Sequence, residues 1–236
     1  VEWNYDTIAK RLKELAFLNK GVRINFEDER VLYRTYEGED GEPVKEKLPA
    51  REPVSYKYDG GLVDFAEYLN EGKTKAYAAP LYYSAIRDIT IKGFAPSKIK
   101  VEFAIEHTKE DTESLYSFVN NIATVEGGYH ETGFRSGLLK AVNEYARANG
   151  FLKAKDQPFI VDDVKEGLTA VLTVQMNNVE FEGQTKTKLG NPEVRPVVEQ
   201  VVQEGLKKLM ESRGNKASFD EIARKAKFAA DDRIKH

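Results

Sequence analysis

The stretch Phe181-Glu182-Gly183-Gln184-Thr185-Lys186-Thr187-Lys188 carries the residue types best suited to chemistry in this chain. Gln184 supplies an amide and Lys186 a compact positive charge. Gly183 lets the backbone turn sharply ahead of them. A strand-like segment from Gly167 to Val179 runs into the stretch, and a helical pattern from Pro192 to Met210 leaves it. A loop between a strand and a helix is where a rigid scaffold can hold out a few polar groups. An ammonium and an amide so placed suit contact with the terminal phosphate of a nucleotide, where positive charge offsets developing negative charge. The same spacing also describes a solvated Lys/Thr loop, with Thr185 holding the loop shape and Lys188 a surface lysine.

Other chemistry-bearing groups stand nearby in sequence. Glu126, Gly127, Gly128 and His130 form a second loop signature. His130 is a residue type that can exchange protons near neutrality. In such a loop it more commonly orients the chain through a backbone hydrogen bond. Arg135, with Lys140 and Arg147 further along, is either a phosphate-contacting face or a set of solvated and paired charges. Asp162, Asp163 and Glu166 group three carboxylates, but ahead of Gly167 they read as turn and cap chemistry. No metal site is expected among them.

These groups need a scaffold, and 236 residues can bury one good core or two small ones. Apolar residues at 41% and charged residues at 32% are ordinary for a globular protein. The absence of cysteine excludes disulfides, thiolate metal sites and cysteine nucleophiles, which fits a reducing cytoplasm. Three scattered histidines argue against a histidine metal centre. No apolar run is long enough to span a bilayer, and no signal pattern opens the chain. A net charge of −3 gives no global case for nucleic-acid binding, so any DNA contact must be local. The chain opens on Val1-Glu2 without methionine, as an excised fragment would.

Asn4 or Asp6 caps a helix running to about Leu18, with Ile8, Leu12, Leu15, Ala16 and Phe17 on one stripe. Val22, Ile24 and Phe26 alternate as a strand, as do Val54, Tyr56 and Tyr58. Between them the stretch 28–53 reads as an exposed hairpin tip or loop, with a short strand from Val31 to Tyr36. Leu62 to Leu69 forms a short helix, and the polar stretch Glu71 to Lys75 marks a domain boundary. Strands follow at Pro80–Ser84, Ile99–Glu106 and Leu115–Val119, with Ala85–Lys98 as a hairpin loop. A helix opens at Glu131 or Thr132 and stops at Gly150. The stretch 156–163 is a loop. Asn191 caps the next helix with Pro192 at its first position, and Pro196 distorts it locally. Ser218 and Glu221 are spaced as a capping box for a last helix. Strands mixed with helices in this order argue an α+β sandwich with helices on one face.

Several blocks together resemble the ATPase subunits of bacterial type IIA DNA topoisomerases, the family that includes the B proteins of gyrase and of topoisomerase IV. They are Arg11 to Asn19, Phe118-Val119-Asn120-Asn121-Ile122, Glu126-Gly127-Gly128 through His130 to Gly133-Phe134-Arg135, Asp162 to Val171, and Gln184-Thr185-Lys186 with Leu189-Gly190-Asn191. The continuation from Thr187 to Asn191 tilts the resemblance toward gyrase. Tyr129 stands where the family usually has threonine.

The resemblance implies residues 1–75 as the C-terminal segment of a GHKL-type ATPase domain and 76–236 as a transducer domain with C-terminal helices. It implies a mixed sheet and a βαβ unit with a left-handed crossover, as in a ribosomal-protein-like fold, against a strong right-handed prior. It makes Lys186 the catalytic and sensing lysine, and Gln184 its companion on the ATP γ-phosphate. It makes Arg135 a DNA contact. It implies ATP, with Mg2+ bound elsewhere in the parent enzyme. DNA, the gyrase A protein and a second copy in a dimeric clamp are the implied partners. No P-loop or Asp-x-Gly-x-Gly stretch is present, so this fragment alone is not expected to turn over ATP. The competing reading is a non-enzymatic RNA- or protein-binding module, because one fold hosts several functions.

Overall fold

The computed structural model describes residues 2–236, and the chain divides into two compact units, the first closing at Gly61 and the second running from Leu62 to His236. In the first unit, α1 (Tyr5–Leu18) is capped by Asn4, whose side chain accepts from the Thr7 amide at 3.1 Å. Strands β1 (Ile24–Phe26) and β4 (Val54–Tyr56) pair antiparallel. Phe17 stacks on Tyr58 with ring centroids 3.8 Å apart, and Tyr5 stacks on Phe26. A separate hairpin, β2 (Tyr33–Glu37) with β3 (Pro43–Lys47), occupies the stretch read as tip or loop. Nearly all its residues are exposed.

The second unit begins with α2 (Leu62–Leu69) and is built on a five-stranded sheet. Its strands are β5 (Leu81–Ile89), β6 (Ser97–His107), β7 (Ser114–Val119), β8 (Ile122–Ala123) and β9 (Leu168–Met176), in the spatial order β5-β6-β9-β7-β8. Only β7 and β9 run parallel, so the sheet is mixed. The helices are α3 (Tyr129–Ala148), α4 (Val161–Lys165), α5 (Val194–Met210) and α6 (Lys216–Lys235).

Alternation along β6 decides how the layers form. Ile99, Val101, Phe103 and Ile105 are fully buried, and Phe103 meets Phe134 of α3 edge-on at 6.1 Å. The opposite parity carries Ala104 and Glu106, paired with Val171 and Thr169 of β9. There α2 covers the sheet. Phe65 lies 6.1 Å from Phe118, and Asn70 bonds both Glu106 (2.8 Å) and Thr169 (2.8 Å). The expectation of helices on one face is therefore corrected, since α2 shields part of the second face. That cover is why β9 is buried on both sides.

Several local readings also change. Strand β5 extends to Ile89 and β6 starts at Ser97, so half of the expected hairpin loop is strand. The stretch 156–163 contains the start of α4. Asn191 does not cap α5. Its side chain instead accepts from the Glu180 amide (2.7 Å) and donates to the Asn178 carbonyl (3.1 Å). With α5 starting at Val194, Pro196 falls in the first turn, where a missing N–H costs no intrahelical bond, and the helix runs on unbroken. Ser218 is buried inside α6 rather than at its cap.

Helices α3 and α5 pack together closely because α3 presents glycine at two successive turns. A β-carbon on Gly133 would lie 2.4 Å from the Arg195 carbonyl oxygen, and one on Gly137 would lie 2.6 Å from that of Glu199. Backbone cannot yield as a side chain tip can. Gly137→Ala is expected to destabilise the protein by about 1–3 kcal/mol through overpacking, outweighing alanine's better helix propensity. Urea unfolding checks this, since an unchanged midpoint would mean the helices separate freely.

Candidate functional site

The loop between β9 and α5 is an ordered excursion with a closed base. Phe181 and Leu189 bridge antiparallel, the Glu182 amide donates to the Lys188 carbonyl (2.8 Å), and the Gly190 amide donates to the Glu180 carbonyl (2.8 Å). Leu189 is fully buried beneath it. Gln184, Thr185 and Lys186 sit at the exposed tip. Thr185 and Thr187 hydroxyls are 2.9 Å apart and brace the turn. Lys188 pairs with Glu182 at 3.0 Å, which raises its pKa. Among the described residues, no hydrogen bond or ion pair engages the Lys186 amine.

The two loop signatures of the sequence meet in space. The Leu189 amide donates to the Gly127 carbonyl (3.0 Å), and the Glu126 amide donates to the Thr187 carbonyl (2.9 Å). Gly128 has φ +134, and a β-carbon there would lie 2.4 Å from the Leu189 carbonyl oxygen. Glycine is required both for the backbone angle and for this approach. The Thr187 hydroxyl also donates to the Glu126 carboxylate.

Below this junction is a polar relay. The Ser117 and Thr124 hydroxyls are 2.7 Å apart, and Thr124 meets His130 Nε2 at 2.9 Å. Ser117 also donates to Glu131. His130 is fully buried, its pKa pushed down to about 4 by desolvation, and its Nδ1 has no protein partner. It is a neutral fixture for most of the pH range. It orients the loop through the Thr124 side chain rather than through the backbone bond expected from sequence.

Arg135, early in α3, lies between two carboxylates, Glu113 at 2.8 Å and Glu131 at 3.4 Å, with its side chain 32% exposed. Glu113 holds its pKa up. Lys140 is paired with Glu199 of α5, and Arg147 donates to the carbonyls of Lys153 and Asp156. These two basic groups serve helix packing and the 153–156 turn. Asp163 accepts a two-pronged contact from Arg233 of α6, both at 3.0 Å, and also accepts from the Ile160 amide. Asp162 pairs with Lys165. The carboxylate group is thus cap and ion-pair chemistry. Among the described residues, no cluster of three His, Asp or Glu groups is placed to hold a metal.

A family model for DNA gyrase B matches residues 61–236. The chain belongs to the DNA gyrase B family. It is 40% identical over 235 residues to the gyrase B protein of Streptomyces coelicolor, covering 99% of this chain and 33% of that protein. It is 39% identical to that of Clostridium acetobutylicum, covering 89% of this chain and 29% of that protein. The chain thus spans about a third of the length of these relatives. Among solved structures it is similar to the 43K ATPase domain of Thermus thermophilus gyrase B in complex with an aminocoumarin, at 30% identity and TM-score 0.74, covering all of this chain and 56% of that one. A topoisomerase IV ATP-binding domain from Francisella tularensis, at 21% identity and TM-score 0.70 over 99% of this chain and 55% of that one, shares the fold. Membership of the gyrase B family leaves the RNA- or protein-binding module without support. Among the described residues, no helix is long and apolar enough to cross a membrane.

The Glu126–Thr187 contact and the Glu113 carboxylate beside Arg135 escaped sequence reading, because the paired residues lie 61 and 22 positions apart and no local period links them. Glu131, four residues before Arg135 on α3, is a pairing that helical spacing could have signalled.

Two buried histidines make a pH prediction. His107 and His130 both have folded pKa values of about 4 against an ordinary 6.5. The native state therefore refuses protons that the unfolded chain accepts. The two histidines cost nothing above about pH 6.5, and stability is lost as pH falls toward 4, on the order of 3 kcal/mol each. Urea unfolding of wild type and His130→Gln at pH 7.5, 6 and 5 tests this. The variant is expected to lose less stability on acidification than wild type.

Proposed function

We propose that this chain is the ATP-responsive coupling region of a DNA gyrase B protein. Residues 1–75 form the C-terminal segment of its GHKL-type ATPase domain, and residues 76–236 form its transducer. In this reading α2 belongs by descent to the ATPase domain although it packs on the second unit's sheet. The parallel pairing of β7 with β9 around α3 supports the βαβ unit, whose crossover we assign as left-handed, giving a ribosomal-protein-like fold. The parent enzyme is an ATP-dependent type II topoisomerase that works in the cytoplasm with DNA, the gyrase A protein and a second copy of itself.

The observation that carries this reading is the Lys186 tip. Its ammonium is exposed and unengaged within the described residues, on a loop whose base is fixed by backbone bonds. A γ-phosphate bound in the nucleotide pocket offers that amine a partner that a diphosphate does not. The difference in contact free energy biases two domain arrangements and couples nucleotide state to clamp closure. Gln184 adds an amide contact from the same tip. Lys186 also offsets negative charge developing on the transferred phosphoryl oxygens, which is its catalytic role. Mg2+ is held by the parent's nucleotide domain, with no ligand from this chain.

Arg135 is the proposed DNA contact. A DNA phosphate there must share the guanidinium with Glu113 and Glu131, so the contact is weak, independent of base sequence and salt-sensitive.

In the intact gyrase B protein, Lys186→Ala is expected to lower ATP turnover by about 10²-fold with little change in overall stability. Wild-type turnover and wild-type ATP-dependent dimerisation in that variant would exclude the sensor role. Glu113→Gln is expected to raise DNA-stimulated ATP turnover at moderate salt, and Arg135→Gln to lower it while leaving DNA-free turnover near wild type. DNA stimulation unaffected by either substitution would remove Arg135 from the DNA path.

A further inference from the structure

We infer that Glu126 is a positioning residue for the Lys186 tip, acting through Thr187. This rests on the reading of Lys186 given above and adds to it a specific device that sets where the amine is held.

The geometry is a two-point clamp between segments far apart in sequence. Glu126 precedes Gly127-Gly128, which lead directly into α3. Its amide donates to the Thr187 carbonyl at 2.9 Å, and its carboxylate accepts from the Thr187 hydroxyl. Thr187 is the residue after Lys186, and its hydroxyl also touches that of Thr185, the residue before it. The lysine is therefore flanked on both sides by hydroxyls tied to one carboxylate. A hydrogen bond to an ionised acceptor is about twice as strong as one between neutral groups. The clamp lies on the exposed surface, so it contributes little to folding and acts mainly on the loop's conformation.

The same turn reaches the proposed DNA contact. Glu131, one helical turn before Arg135, holds both that guanidinium and Ser117. The Gly127-Gly128 turn thus lies between the two groups, bound to the base of the Lys186 loop on one side and to the first turn of α3 on the other. A shift at the start of α3 has a direct mechanical route to the backbone beside Lys186.

Positioning affects the reacting complex more than ground-state binding, so its loss should appear in kcat. The test uses the intact gyrase B protein with ATP, and measures kcat and KM without and with DNA for Glu126→Ala, Glu126→Gln, Thr187→Val, Thr187→Ser, the Glu126→Ala/Thr187→Val pair and Lys186→Ala. Expected are a fall of about tenfold in kcat for Glu126→Ala and for Thr187→Val, with KM within about twofold. The pair should be no worse than Thr187→Val alone, because that change already removes the hydroxyl that Glu126 holds. Thr187→Ser keeps the hydroxyl and Glu126→Gln keeps an acceptor, and both should retain most of the turnover. The inference is overturned if Lys186→Ala lowers kcat while Glu126→Ala and Thr187→Val stay at wild type. Independent, multiplying effects in the pair overturn it too. Wild-type turnover in Lys186→Ala would remove the underlying reading, and with it this inference. A Glu126→Ala protein that did not fold leaves Thr187→Val and Thr187→Ser to decide.

Discussion

The site depends on one close approach, the backbone of Gly127-Gly128 lying against the backbone of Leu189. Peptide groups at this range leave no room for a side chain, which is why φ +134 and a missing β-carbon coincide at Gly128. Everything above the approach follows from it. The loop base is closed by main-chain bonds and by buried Leu189, so the base does not rely on the side chains of the tip. Gln184 and Lys186 can then be chosen for contact rather than for folding.

The second unit supplies the rigid ground for that approach. Glycines bring α3 and α5 into backbone contact, and the mixed sheet beneath is sealed on one face by these helices and partly on the other by α2. The approach joins the loop ahead of α3 to the loop ahead of α5. Helices packed this closely fix the starting points of both loops relative to one another. Charged groups complete the ties. Glu199 accepts from both Ser136 and Lys140 across the helix pair, and Asp163 receives Arg233 from α6.

Much of the architecture was legible in sequence where a period of two or 3.6 ran long enough. The apolar alternation of β6 and the stripes of α1, α3 and α5 fall where their residues placed them. Boundaries failed where chemistry was ambiguous. Asn191-Pro192 has the form of a helix start, but the asparagine side chain is committed to the loop behind it. Ser218 fits a capping box, but its helix begins two residues earlier at Lys216. Of the candidate site, Gln184 and Lys186 stood out through residue type next to a glycine turn. The clamp from Glu126 and the Glu113 carboxylate facing Arg135 did not, because pairings across long sequence separations exist only once the fold has formed. Cover of the second sheet face by α2 was equally non-local, set by Asn70 reaching Glu106 and Thr169.

The hairpin from Tyr33 to Lys47 has a different consequence. Neither of its faces packs on a core, and its register rests on cross-strand pairs such as Arg34 with Glu46 and the Lys45 ammonium over the Tyr33 ring. A ribbon held by its own backbone ladder and such pairs can lengthen or shorten by whole residue pairs without disturbing anything buried. It is the natural place to accept a fluorophore or an affinity peptide, and the place where a protease would make its first cut while the five-stranded sheet stays whole.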